Sequence, residues 1–311
     1  MQYGQVEGTG FVEYDKRFNK LYAGHARVER LWTGARWCEG PAWFAAGRYL
    51  VWSDIPNNRM MRLVEPSHEV SVFREHANNS NGNTVDFSGR LVTCEHLTRR
   101  VTMTNHDGRI VVLASQYQGK RFNSPNDAVV KSDGSVWFTD PAYGIDADYE
   151  GDKQDREIDG CYVYRIDPST IEVTAVVTDM VRPNGLAFSP DEKHLYIADT
   201  GKTHVDGGPK HIRKFTVSAD GKSVSGGEGV FADCQEGLFD GFRVDTEGRI
   251  WTSAGDGVHV YDNEGTLLGK ILVPETVGNV TFGGTKRNRL YICGTTSIYS
   301  FFTFATGCKP G

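Results

Sequence analysis

The chain has 311 residues, 24% of them charged, and a formal net charge of −6. That length can bury a large core without disulfide or metal staples. The acidic balance, with no long basic run, argues against nucleic acid as a partner, and no stretch of about 20 apolar residues is present to form a membrane helix.

One phrase returns six times along the chain. A turn carrying Gly or Asp leads at once into a strand that ends in an acidic or small polar residue. The copies begin with Ala46-Gly47-Arg48-Tyr49-Leu50-Val51-Trp52-Ser53-Asp54 and Ser88-Gly89-Arg90-Leu91-Val92-Thr93-Cys94-Glu95. They continue with Asp133-Gly134-Ser135-Val136-Trp137-Phe138-Thr139-Asp140 and Asp191-Glu192-Lys193-His194-Leu195-Tyr196-Ile197-Ala198-Asp199. Glu247-Gly248-Arg249-Ile250-Trp251-Thr252-Ser253-Ala254 and Arg287-Asn288-Arg289-Leu290-Tyr291-Ile292-Cys293 complete the series. With turns near 47, 89, 134, 192, 248 and 288, the steps are 42, 45, 58, 56 and 40 residues. A period of about 40 to 50 fits one four-stranded blade per repeat.

The expectation is therefore an all-β fold, a six-bladed β-propeller spanning residues 1–311 as a single domain. Apolar residues show no sustained helical period, and 36 glycines punctuate the segments. The two wide steps place insertions at 141–160 and 200–227, expected as loops on one face. To close the ring, Phe11-Val12-Glu13-Tyr14 or Ala26-Arg27-Val28-Glu29-Arg30-Leu31 is expected to pair with the last strands, 290–294 and 298–304.

Six cysteines stand at 38, 94, 161, 234, 293 and 308, none in a C-x-x-C pair. They read as reduced core residues, and no apolar leader follows Met1, so a cytoplasmic location is expected. In that compartment the sequon at Asn279-Val280-Thr281 carries no glycosylation meaning. Asp146-x-Asp148-x-Glu150-Gly151-Asp152 resembles a calcium loop, but Glu stands at its fifth place and no amphipathic helix flanks it. It reads better as an acidic segment beside the channel. No nucleophile elbow or phosphate-binding loop is present.

Four places depart from the blade pattern in the same way: Cys38-Glu39-Gly40-Pro41, Ser124-Pro125-Asn126-Asp127, Arg182-Pro183-Asn184-Gly185 and Phe239-Asp240-Gly241. Each sets a carboxylate or carboxamide beside Gly or Pro at the start of a blade. Equivalent innermost positions of a propeller face one axis, so these groups should converge. Two acids meeting there repel unless a cation lies between them. An all-oxygen set without His or Cys suits a hard divalent cation, Ca²⁺ first, with Mg²⁺, Mn²⁺ or Zn²⁺ as alternatives.

Together with Trp52-Ser53-Asp54 and Phe138-Thr139-Asp140-Pro141, these motifs resemble the gluconolactonase, regucalcin (senescence marker protein) and luciferin-regenerating enzyme family over residues 28–300. Cys94-Glu95-His96 and Thr139-Asp140-Pro141-Ala142-Tyr143-Gly144 are similar to the bacterial gluconolactonase branch. The resemblance implies one divalent metal in the channel, with Glu39, Asn126, Asn184 and Asp240 as its ligands. Where regucalcin-type members carry an Arg before the Asn-Asp motif, this chain has Ser124, and the nearest Arg is Arg121.

The expected activity is metal-dependent hydrolysis of a sugar-type lactone. The metal would polarise the carbonyl, and Asp240 would act as general base, with His96 as the second candidate. Asn83, Glu95, Arg121, Asn126 and Tyr143 are candidate contacts for substrate hydroxyls. The competing readings are an organophosphate or aryl-ester hydrolase of the same fold, and a non-enzymatic propeller with a structural cation.

Overall fold

The computed structural model describes residues 6–309. The six repeats are six antiparallel sheets. Blade I comprises Cys38–Phe44, Tyr49–Asp54, Arg59–Val64 and Glu69–Glu75, and blade II Ser80–Val85, Leu91–Glu95, Arg100–Thr104 and Ile110–Ala114. Blade III has Ala128–Val130, Val136–Asp140, Tyr162–Ile166 and Val173–Val177; blade IV has Pro183–Phe188, His194–Asp199, His211–Val217 and Val224–Asp233. Phe242–Val244, Ile250–Ala254, Gly257–Tyr261 and Leu267–Leu272 form blade V. Val277–Gly283, Arg289–Gly294 and Ser297–Phe302 supply three strands of blade VI. The first strands of successive blades adjoin one another, and that of blade VI adjoins that of blade I, so the ring is closed.

The recurring phrase of the sequence is the second strand of each blade with the turn before it. That turn carries a left-handed residue in every copy: Arg48, Gly89, Gly134, Glu192, Gly248 and Arg287. Glycine fills three of the six, and the other three accept a backbone conformation that costs about 1–2 kcal/mol for a residue with a Cβ. In blades II and V the turn is fixed identically. Asp86 Oδ1 accepts from the Ser88 and Arg90 N–H groups, as Asp245 Oδ1 does from Glu247 and Arg249. The second strands also bring the large core residues Trp52, Trp137 and Trp251, all fully buried.

Ring closure follows one expectation and corrects the other. Glu29–Thr33 pairs with Ser297–Phe302 and becomes the outer strand of blade VI. The segment Gly10–Glu13 pairs with Leu267–Leu272 instead, as a fifth strand of blade V. Its neighbours Phe18 and Leu21 enter the apolar core shared by blades V and VI, which holds it there.

The insert expected as a loop over 200–227 is strand in part, because His211–Val217 and the start of Val224–Asp233 lie within it. Its glycines are the cause of the misreading. Gly227 has φ +87°, and a Cβ there would stand 2.3 Å from the Phe215 ring, so a glycine is required within the ladder. The 141–160 insert does leave the sheet, and it contains one short helix, Tyr143–Asp146.

Candidate active site

The first strands carry a common defect. Their ladder to the second strand breaks register between Glu39 and Ala42, Ser80 and Asn83, Pro183 and Leu186, and Val277 and Asn279. A bulge releases its residues from pairing and re-aims their side chains. Here the released residues include Asn81, Asn184 and Gly278, with Glu39 at the edge of its own bulge. Close packing around the axis explains the neighbouring glycines. A Cβ on Gly82 would stand 2.3 Å from the Asn126 carbonyl oxygen, and one on Gly185 would stand 2.2 Å from that of Asp240. The Gly82 N–H donates to Asn126 O at 2.7 Å, and the Gly185 N–H donates to Asp240 O at 3.2 Å. Each blade thus grips the next through the very residues that face the channel.

At one mouth of the channel these residues line a cavity of about 320 Å³. Glu39, Asn126, Asn184 and Asp240 all line it, from blades I, III, IV and V. Asn81, Tyr143, Glu150, Thr200 and Thr203 complete its polar wall, and Trp37, Leu238 and Val277 its apolar one. No Lys, Arg or His lies among the lining residues. The carboxyl groups respond accordingly. Burial pushes Glu39 up to about 8, with Asp127 and Glu150 adding repulsion against a partly offsetting Gly40 N–H bond. Burial and then Glu39, Asp127 and Glu150 hold Asp240 well above the carboxylate range. Glu150 is raised to about 7 by burial alone.

The donor set fits a hard cation. Glu39 Oε1 and Asn184 Oδ1 are buried without a hydrogen-bond partner among the described residues. Glu39 Oε2 is occupied by the Gly40 N–H at 2.7 Å and by Asn279 Nδ2 at 3.0 Å, which leaves Oε1 as the open atom. Among the described residues no group of three or more His, Cys, Asp and Glu is placed to hold a metal. The oxygens gathered here are half carboxamide, so such a cluster is not what they would form.

The other candidates fall into different places. Tyr143 lines the cavity, its phenol bonded to Thr200 Oγ1 at 2.6 Å and Thr203 Oγ1 at 3.0 Å, and burial raises it to about 12. Asn83 is fully buried but lies outside the lining. Its amide bridges Gly40 O and Ser53 Oγ, both at 2.9 Å, and accepts from Thr93. Glu95 is also outside, holding Arg100 at 2.7 Å and Thr102 at 3.1 Å. Arg121 is exposed, with its N–H on Glu157 and its guanidinium on Gln154. His96 stands behind the wall, its Nε2 at 3.2 Å from Asn81 Nδ2 and its Nδ1 at 3.1 Å from Glu150 O. Burial lowers its pKa to about 4.

The sequence reading did not single out Asn81, Asn279 or Glu150 as site residues, nor the lining residues Trp37, Thr200, Thr203, Leu238 and Val277. Asn81-Gly82 repeats the Asn-Gly and Asp-Gly pattern of the other blades and was legible by that rule. Asn279 lay inside a sequon and follows its glycine rather than preceding it. Glu150 comes from the acidic segment, in which Asp146 is instead bonded to Arg182 at 2.6 Å.

Residues 37–297 match the SMP-30/Gluconolactonase/LRE-like region. The chain belongs to that family. It is 29% identical over 309 residues to a gluconolactonase of Zymomonas mobilis, covering 92% of this chain and 84% of that one. To the pentonolactonase XacC of Haloferax volcanii it is 28% identical over 269 residues, covering 84% of this chain and 82% of the relative. Among solved structures, a gluconolactonase from Xanthomonas campestris superposes with a TM-score of 0.87 at 37% identity, covering 96% and 95% of the two chains. A calcium-binding regucalcin from Agrobacterium tumefaciens, at 19% identity and a TM-score of 0.74, shares the fold.

Proposed function

We propose that this protein hydrolyses a sugar-type lactone to its hydroxy acid at the channel-mouth cavity, with one divalent cation held by Glu39, Asn126, Asn184 and Asp240. The observation that carries the reading is the meeting of those four side chains, from four blades, in one acidic cavity without a basic residue. Family membership and the lactonase names of its relatives support the reaction class.

A bound cation supplies a Lewis acid that polarises the ester carbonyl and stabilises the developing oxyanion. Asp240 is the general base. Its carboxylate takes a proton from the attacking water as the C–O bond forms, and returns it to the ring oxygen as the lactone C–O bond breaks. Asp240 serves as a base only when the negative charge of Glu39 beside it is offset, since burial and that neighbour otherwise favour its protonated form. Asn126, which lines the cavity, would hold the cation and meet a substrate hydroxyl. Tyr143 keeps its proton near neutral pH, and its hydroxyl, fixed by Thr200 and Thr203, offers a bond to a substrate hydroxyl. Trp37, Leu238 and Val277 limit the water that reaches the reacting carbon. His96 is left out of the proton path, because both of its ring nitrogens are engaged.

Ca²⁺ is the cation expected first from the oxygen set. The propeller is proposed to work as one domain on a small-molecule lactone. A cytoplasmic setting agrees with six free cysteines, five of them buried. No helix of the described residues is long and apolar enough to cross a membrane.

The test is acid release over a panel of lactones, with and without chelator, alongside elemental analysis of the purified protein. Chelator-sensitive acid release supports the proposal. Silence across the panel with metal bound transfers it to the scaffold reading.

A further inference from the structure

Asn81 sits on the bulge of blade II at the cavity wall and is 5% exposed. Its backbone is fixed: its carbonyl accepts from Ser53 Oγ at 2.8 Å and from Asn83 Nδ2 at 3.0 Å. Among the described residues its side chain has one hydrogen-bond partner. Nδ2 meets His96 Nε2, while Oδ1 has no hydrogen-bond partner among the described residues.

His96 settles which end of the amide is which. Glu150 O can only accept, so Nδ1 of the ring carries the proton that bonds it. An uncharged ring then has a lone pair at Nε2, which takes the N–H of Asn81 and turns Oδ1 the other way. Burial favours that uncharged ring. The ring itself is fully buried under the Tyr143–Asp146 turn. A Cβ on Gly144 would stand 2.5 Å from it, so glycine is what lets it fit. One imidazole thus ties together two walls of the cavity, the blade II bulge and the 141–160 insert.

The geometry points to Asn81 as a further substrate-binding residue, its amide oxygen presented to a lactone hydroxyl, and to His96 as the positioning residue that holds it so. This rests on the lactonase reading and adds to it a residue that discriminates hydroxylated from plain rings. An acceptor left unpaired in a buried wall binds a substrate O–H and has nothing to offer a C–H.

The experiment compares KM and kcat for a polyhydroxylated δ-lactone and for δ-valerolactone in the metal-loaded enzyme. Asn81→Ala is expected to raise KM for the hydroxylated ring ~5–10-fold with kcat little changed, and to leave δ-valerolactone unaffected. His96→Asn keeps a donor for Glu150 O but loses the acceptor for Asn81, so it should act in the same direction. The double variant should then be no worse than Asn81→Ala alone. His96→Gln, which restores an acceptor near the place of Nε2, should recover the lower KM. Equal losses on both rings, or additive losses in the double variant, would overturn the assignment while leaving the lactonase intact. If Asn81→Ala does not fold, Asn81→Ser carries the same comparison of the two rings. A wild-type protein that hydrolyses neither lactone overturns the lactonase reading and this inference with it.

Discussion

Asn279 Nδ2 donates to Glu39 Oε2 at 3.0 Å, joining the last blade to the first across 240 residues of sequence. The same Nδ2 lies 3.4 Å from Asp127 Oδ2, so one carboxamide stands between two buried carboxyls. It shields them from each other and fixes Glu39 with its second oxygen open. Asn279→Asp would add a carboxylate there. Melting of the chelated protein near neutral pH should show a loss of ~1–3 kcal/mol, larger than for Asn279→Ala. Equal stability of the aspartate and alanine variants would remove the charge argument.

Asp240→Asn should keep the fold and lose activity ~100-fold or more, as expected when a general base is removed. The check is initial rates on an active lactone beside a circular dichroism spectrum. A variant with wild-type kcat would show that another group takes the proton.

Glu39→Gln and Asn184→Ala should each weaken cation affinity, measured by calorimetric titration of the chelated protein, by at least ~10-fold. Glu39→Gln should also make the metal-free protein more stable near pH 8, since a carboxyl that resists ionisation there is gone. Unchanged affinity in both variants would take these residues out of the cation site.

Without cation the protein should lose stability as pH rises. Glu39, moved from 4.5 to about 8, and Glu150, moved from 4.5 to about 7, hold protons more tightly folded than unfolded. The stability they contribute is complete below 4.5 and is lost as pH climbs through their folded values. In chelator, the melting midpoint should fall between about pH 5 and about pH 8, and excess Ca²⁺ should reverse the fall by binding the ionised folded form. A flat profile in chelator would mean that the cavity acids are not strained.

Removal of residues 1–32 should give insoluble protein. It takes most of Glu29–Thr33, the outer strand of blade VI, together with Phe18, Leu21 and Val28 of the adjoining core. A soluble, active truncation would show that the ring holds without its closing strand.

The fold was legible because each blade writes its own turn and second strand: Gly89, Gly134 and Gly248 hold the turns, and Trp52, Trp137 and Trp251 fill the core behind them. Those are local properties, readable by period alone. Glu39, Asn126, Asn184 and Asp240 were legible for the same reason, as one unusual pattern repeated in register. Asn83, Glu95 and Arg121 were chosen for their chemistry at plausible places, and the tertiary structure gave them other partners. What only the assembled ring decided was which side chains of different blades share one cavity. The unpaired oxygens of Asn81 and Asn184, the carboxyl of Glu150 and the Asn279–Glu39 seam depend on bulge direction and on contacts far apart in the chain, and no local pattern of residues encodes those distances.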